Sequence, residues 1–432
     1  MRILWLKSDL LLPLDTGGKL RTWHLLRHLA RRHDVTYLAF ADPDTPAGDI
    51  EGMRAVAHEI VTVPRRDPVK RSAAFYGDVA RRLFDPLPYA VGKYRSRAYR
   101  SALSDLLATR TFDLIVCDFL PPVVNLPPRL PCPTVLFTHN VEAEIWRRHT
   151  DHATFATRPL YRAQWQRMSR FEGEALGRFD AILAVSESDR ETFHHLYRGH
   201  LRAPVFVIPT GVDTDFFHPA DSPVGSHRLV FTGSMDWLPN EDAMRYFCQA
   251  ILPLVRADVP DVSLSIVGRA PTPPVQQLAG PGVEVTGRVD DVRPYLEAAA
   301  VFIVPLRIGG GTRLKIFEAM AMGKAVVSTT IGAEGLPVAS GRDVLLADTP
   351  ADFAASIARL LRNVADRRQL ERAARELVVE RHDWSAVSRD LERALEQVAQ
   401  HRTKTAAIGA PVAVTGDDHL SAPLRAAASN RS

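Results

Sequence analysis

VPLRIGGGTRLKIFEAMAMGKAVVSTTIGAEGL, Val304 to Leu336, is the stretch on which the reading of the fold turns. A short apolar strand ends near Pro305, glycines follow at Gly309, Gly310 and Gly311, and a helix opens at Thr312 or Arg313. The helical pattern runs to Met322, and a second apolar run follows at Ala325–Ser328. Strand, glycine turn, helix and strand in that order build parallel α/β layers. The same turn implies a chemistry. Glycines without Cβ let the backbone come close to a ligand, and a helix start offers unpaired N–H groups with a positive dipole, which suits phosphate oxygens. Arg307, Arg313 and Lys315 add positive charge nearby, and Glu318 lies three residues past Lys315 on roughly the same helix face. A carboxylate placed beyond a phosphate cradle is suited to both hydroxyls of a ribose.

Outward from this stretch, short apolar strands alternate with amphipathic helices. Arg2–Leu6, Val35–Phe40, Ile60–Val63, Asp113–Cys117, Thr134–Thr138 and Asp180–Val185 are expected to form one sheet, with helices over Lys19–Arg32 and the Arg-rich Tyr161–Arg178. After Arg202, Val205–Ile208 leads into the Pro- and Gly-marked PTGVDTDFFHP, which suits a linker. A second series follows at Leu229–Thr232, Val262–Val267, Val283–Thr286, Val301–Val304 and Ala325–Ser328. The expected organisation is α/β: Rossmann-like domains over residues 1–204 and 205–383, a last helix over about 384–400, and a disordered tail over 401–432. Ser186 reads as the cap of a helix after AILAVS.

Bulk properties narrow the classes. A chain of 432 residues exceeds what one core usually serves, and 46% hydrophobic with 24% charged residues is the balance of a soluble globular protein. A net charge of +4 is too weak to argue for nucleic acid. Cys117, Cys132 and Cys248 are odd in number and widely spaced, without a metal pattern or disulfide framework, which fits a reducing compartment. Lys7 and Asp9 interrupt the apolar N-terminus, and no run approaches the roughly 20 apolar residues of a membrane span, so a cytoplasmic protein is expected. There is no P-loop, no nucleophile elbow and no metal-ligand cluster at usable spacing. Between Arg54 and Arg110 twelve Lys/Arg stand against five Asp/Glu, interleaved with aromatics. A solvated helical surface and a patch for anionic lipid headgroups are both open readings of that stretch.

As a set, the motifs resemble glycosyltransferase family 4, whose members have the GT-B fold: two Rossmann-like domains with parallel sheets facing a central cleft. GGGTRLKIFEAMAMGKAVVST is similar to that family's nucleotide-sugar signature, in the subgroup with a GGGTRLK turn. DTGGKLR, FTHN, IPTGVDTDFF, LVFTGSMDW, SIVGR and VTGRVDDVRPYL occur in the family's order over roughly residues 1–400. The resemblance implies that Glu318 binds ribose, Gly17 and Gly18 offer amides to the donor phosphate, His139 lines the sugar pocket near the reacting centre, and the turn at Val289 meets the nucleobase. Gly233, Arg307, Gly310, Gly311, Thr312, Arg313 and Lys315 complete the implied donor set. On the residues alone, His139 could equally be structural, and Asn140 or Glu142 could bind acceptor.

This chain departs from the family pattern at two places. The family's first donor glutamate would fall at Gly310, and SMDW stands where a basic pair usually follows the first strand of the second domain. Arg313 and Lys315 are expected to neutralise the diphosphate instead. The resemblance further implies a last helix that crosses back to the first domain, transfer with retention of configuration, and no bound metal or other cofactor. Expected partners are a nucleoside-diphosphate sugar, a glycan or lipid-linked acceptor, and an anionic membrane as a peripheral contact at the inner face; nucleic acid is not among them. A sugar-nucleotide epimerase of the same fold and a non-catalytic scaffold of a polysaccharide assembly complex are the alternatives.

Overall fold

The computed structural model describes residues 1–68, 72–82, 85–151, 153–219, 227–308 and 314–408, with side chains as far as Gln400. Seven strands form the first sheet: β1 (Arg2–Leu6), β2 (Asp34–Ala41), β3 (Glu59–Pro64), β4 (Leu114–Asp118), β5 (Thr134–Phe137), β6 (Ala181–Ala184) and β7 (Val205–Val207). Their spatial order is β3-β2-β1-β4-β5-β6-β7, with every pairing parallel. Successive side chains alternate across a sheet, so each strand feeds two cores. Ile3, Trp5 and Val116 join one cluster, whereas Leu4, Leu6 and Ile115 join the other. A sheet buried on both faces has near-continuous apolar strands, which is why these runs stand out in the sequence.

The second sheet holds β8 (Arg228–Thr232), β9 (Ser263–Val267), β10 (Val283–Gly287), β11 (Val301–Val304), β12 (Ala325–Ser328) and β13 (Leu345–Leu346), in the order β10-β9-β8-β11-β12-β13 and again parallel. One large apolar cluster fills this domain. The helical stretch opposite β8 continues from Leu238 to Asp258 but passes through a π turn at Phe247–Ile251. Pro253, which has no N–H for the regular ladder, sits just beyond that turn.

One boundary moves. The run Val205–Val207 pairs with β6 and closes the edge of the first sheet, so the first domain extends through Ile208 rather than ending at residue 204. Ile208 itself is buried in the first domain's core. The last helix, Trp384–Ile408, returns to the first domain: Trp384, Val387, Leu391, Leu395 and Val398 pack with Ile3, Leu25 and Leu26. Its backbone runs eight residues into the stretch expected as a tail, and residues 409–432 lie outside the described ones. Glu392 ties it down by accepting from Arg32 at 2.9 Å and His33 at 2.7 Å.

The chain thus passes between domains twice, and the two passages bond to each other. Val212 N–H donates to His382 C=O at 2.7 Å, and Trp384 N–H donates to Val212 C=O at 3.2 Å. Gly211 lies so close to the Trp384 indole that a Cβ would come within 2.5 Å of it.

Candidate active site

In open parallel sheets ligands gather at the carboxyl ends of strands where the order reverses. In the first sheet that place lies between β1 and β4, and it carries two ionised side chains. Asp118, the last residue of β4, is fully buried. It accepts from Trp5 Nε1 at 3.0 Å, Thr22 Oγ1 at 2.7 Å and Lys7 Nζ at 2.9 Å on one oxygen. His139 Nε2 donates to its other oxygen at 2.6 Å. Burial alone would raise the Asp118 carboxyl, but the Lys7 ammonium and the hydrogen bonds from Lys7 and His139 outweigh it and hold the group well below the usual carboxylate range.

His139 follows β5. Burial lowers its pKa more than Asp118 raises it, so the ring is neutral at neutral pH. Since Asp118 is an ionised acceptor, Nε2 carries the proton and Nδ1 keeps a lone pair. That nitrogen looks toward the β1–helix turn: a Cβ on Gly18 would lie 3.2 Å from Nδ1. Phe119 stacks on the imidazole at 5.0 Å and holds φ of +80°, a strained conformation for a bulky residue beside the site. Gly17 and Gly18 open the Gly17–Leu29 helix, capped by Thr16, so their amides are first-turn donors without intrahelical acceptors.

The second sheet reverses between β8 and β11. Gly233 follows β8, and a Cβ there would come 2.7 Å from Asn240 Nδ2 and 2.9 Å from Lys315 Nζ. Lys315 donates to Asn240 Oδ1 at 2.9 Å and lies 4.1 Å over the Phe231 ring. The Leu314–Ala321 helix therefore delivers an ammonium to the end of β8, the place where the basic pair is missing from SMDW. Glu318, one helical turn on, makes no hydrogen bond or ion pair among the described residues. Burial pushes its carboxyl up to about 7, only partly offset by Lys315. Arg307 is held elsewhere, in a two-pronged ion pair with Asp242 at 2.6 and 3.0 Å and over the Tyr246 ring. Val289 packs on the domain core after Gly287, whose φ is +71°. Gly310, Gly311, Thr312 and Arg313 lie outside the described residues.

A cavity joins the two sides. Asn140, Arg148 and Ser186 line it from the first domain, and Phe317, Glu334 and Gly335 from the second. Asn140 follows His139 in the chain and Phe317 precedes Glu318, while His139 and Glu318 themselves do not line it. Arg148 meets Glu334 across it at 3.5 Å, and Ser186 caps its helix by accepting from Asp189 N–H at 3.1 Å.

Other buried groups support the site without having stood out in the sequence. The Arg21 guanidinium lies 4.4 Å over the Phe137 ring and donates to Ile208 C=O, while Nε and Nη1 have no hydrogen-bond partner among the described residues. Burial lowers its pKa to about 9 against the pull of Asp118 and Asp189, which leaves it charged at neutral pH. Glu172 caps the Glu142–Asp151 helix from outside, accepting from the Glu142 and Ala143 amides at 2.8 and 3.1 Å and from the Tyr197 hydroxyl at 2.6 Å. Burial pushes Glu172 up to about 7, and burial with the neighbouring Glu172 does the same to Glu142.

Comparison with known proteins agrees with this geometry. The model described as Glycosyltransferase Family 4 matches residues 16–216, and that for Glycosyl transferases group 1 matches residues 226–363. The chain belongs to glycosyltransferase family 4. Among curated relatives, the phosphatidyl-myo-inositol mannosyltransferase of Mycolicibacterium smegmatis is 31% identical over 219 residues, 47% of this chain and 54% of that one. An uncharacterized 44.6 kDa protein in the cps region of Klebsiella pneumoniae is 25% identical over 220 residues, 48% of this chain and 54% of that one. The alignments thus span about half the length of these relatives. Among solved structures, sucrose-phosphate synthase of Thermosynechococcus elongatus superposes with a TM-score of 0.65 at 17% identity, covering 94% of this chain and all of that one. Anabaena HepE with UDP and glucose superposes at 0.62 and 15%, covering 92% and 100%. At such identities the likeness establishes the GT-B fold of this family member.

Proposed function

We propose that the protein moves a sugar from a nucleoside diphosphate to a hydroxyl of a lipid-linked glycan acceptor, in exopolysaccharide or envelope polysaccharide assembly, at the cytoplasmic face of the membrane. The observation that carries this reading is the convergence on one cavity: its walls include Asn140, next in the chain to the Asp118-braced His139, on one side and Phe317, next to Glu318, on the other, and the Glu318 carboxyl bonds no described residue. Relatives named phosphatidyl-myo-inositol mannosyltransferase support a lipid-borne acceptor, and a neighbour solved with UDP and glucose supports the donor class. No helix among the described residues is long and apolar enough to cross a membrane.

In this mechanism the Gly17 and Gly18 amides and the Lys315 ammonium hold the donor diphosphate, whose charge grows as the glycosidic bond breaks. Glu318 takes the ribose hydroxyls. His139 Nδ1, an acceptor fixed by Asp118, receives a sugar hydroxyl and orients the anomeric carbon. The acceptor oxygen bonds that carbon on the face from which the phosphate leaves, which retains configuration, and its proton passes to the departing phosphate oxygen. No separate catalytic base is then required. Closure of the two domains excludes water during the step.

A thermal-shift screen of nucleotide sugars identifies the donor, since ligand at about 100 times Kd stabilises by about 2.7 kcal/mol. The labelled donor is then incubated with membrane extract. Label appearing in lipid-linked glycan is the expected result. Sugar interconversion without acceptor would show an epimerase instead, and binding without turnover a scaffold.

A further inference from the structure

The basic, aromatic stretch between Arg54 and Arg110 is the one that invites a membrane reading in the sequence, yet its charge is largely consumed within the fold. Eight of its twelve cations sit in ion pairs, as Arg65 with Asp67, Arg82 with Asp78 and Arg110 with Glu59. Two of its aromatics turn inward, Tyr99 being buried and Tyr94 stacked under Arg65, while Tyr76 stays exposed.

A different surface has free charge and free apolar area together. The helices Glu142–Asp151 and Arg158–Leu176 form a hairpin whose tip, Thr154–Leu160, is exposed at every residue. Phe155 at that tip is 97% exposed, with Pro159 and the exposed Leu160 beside it. From Arg147 to Arg170 the sequence carries six arginines against one acidic residue. Arg158 and Arg162 stand one helical turn apart at exposed positions, Arg170 is exposed two turns further on, and none of the three has an ion-pair or hydrogen-bond partner among the described residues. An aromatic ring set in arginines that lack carboxylate partners is complementary to an anionic bilayer: the ring enters the headgroup boundary while the cations meet lipid phosphates.

We infer that this hairpin tip is the surface by which the protein docks on anionic membrane. Its place relative to the site gives the contact a purpose. The Glu142–Asp151 helix starts three residues after His139 and has ten residues, so it sets the tip roughly 15 Å from the reacting centre. A glycan on a lipid headgroup, standing out of the bilayer, spans that distance. This purpose rests on the lipid-linked acceptor proposed above, whereas the docking itself is measured without any substrate.

The test is flotation of the full chain with phosphatidylcholine vesicles carrying about one-third phosphatidylglycerol at low salt. Three variants are compared with wild type: Phe155→Ser, the double change Arg158→Glu with Arg162→Glu, and, as control, Arg97→Glu with Arg100→Glu from the rival stretch. All lie at exposed positions, and thermal melts verify their folding. Wild type and control should float, and raising the salt should release both. The double tip variant should weaken binding by more than tenfold, given about fivefold for each arginine lost, and Phe155→Ser should weaken it several-fold. Wild type that fails to float, tip variants that float like wild type, or a control that loses as much as the tip would each overturn the inference. If docking holds but no sugar is transferred from any donor, the functional reading fails and the docking surface stands.

Discussion

Asp118, on one side of the cleft, has four donors within 3.0 Å, whereas Glu318, on the other, has none among the described residues. Asp118 is fully buried and Glu318 partly so, and burial pushes both carboxyls upward; the outcomes are opposite because of their partners. Asp118 is held far below its ordinary range and Glu318 is raised to about 7. The lesson is one of origin. On the first side the protein supplies every group that satisfies the charge, which makes a rigid support. On the second no described residue bonds the carboxyl, which suits the receptor role proposed for it.

The sharpest way to break this contrast is Asp118→Ala. It strands the buried Lys7 ammonium and frees Trp5, Thr22 and His139 together, so the chain should lose about 3–5 kcal/mol, read as a lower urea midpoint. A midpoint within 1 kcal/mol of wild type would deny Asp118 its supporting role. Next in size, His139→Ala should lower kcat/KM by about 100-fold, near 2.7 kcal/mol, and leave the melting curve close to wild type. A loss seen only through melting would make the ring structural.

Glu318→Gln tests the receptor side through pH. Its folded pKa lies above the unfolded value of 4.5, so the ionised carboxyl destabilises the empty protein, increasingly as pH rises from 4.5 through about 7. The variant should therefore be more stable than wild type by roughly 1–3 kcal/mol at pH 8 and equal to it near pH 4, while binding donor more weakly. Asp118 has the reverse sign: its contribution is present above the unfolded value of 3.8 and fades as pH falls below it. Melting curves at the two pH values decide the matter, and a Glu318→Gln variant no more stable at pH 8 would remove the contrast. Smallest is Lys315→Met, for which about a tenfold rise in donor KM is expected, with stability changed by less than about 1 kcal/mol. Unchanged donor affinity would leave the diphosphate to the backbone amides.

How much of this was legible follows from where the partners lie along the chain. The strands could be read because sheets buried on both faces demand apolar runs, and Glu318 and His139 because each adjoins a recognisable turn or strand end. Val205–Val207 falls to the first domain, against the sequence expectation, because three apolar residues before a Pro–Gly linker do not say which edge they join. Lys7 and Asp118 each close an apolar strand and look like ordinary solvated ends. Their pairing depends on β1 and β4 being neighbours, and that sheet order is not written in either segment. Lys315 and Asn240 stand 75 positions apart, so no spacing could show that the helix after the glycine turn fills the place of the missing basic pair. The hairpin tip escaped notice for the opposite reason: arginines are counted in sequence, but whether carboxylates answer them is known only in three dimensions.

The returning helix has a consequence for how the protein is made. Trp384, Val387, Leu391 and Leu395 belong to the same core as Ile3 and Trp5, so the first domain cannot finish packing until this helix has been translated. At about 5–20 residues per second, the N-terminal sheet waits tens of seconds on the ribosome with one face uncovered. The second domain, whose core is drawn from residues 212–378, can close before it. The part of the chain made first is therefore the part completed last.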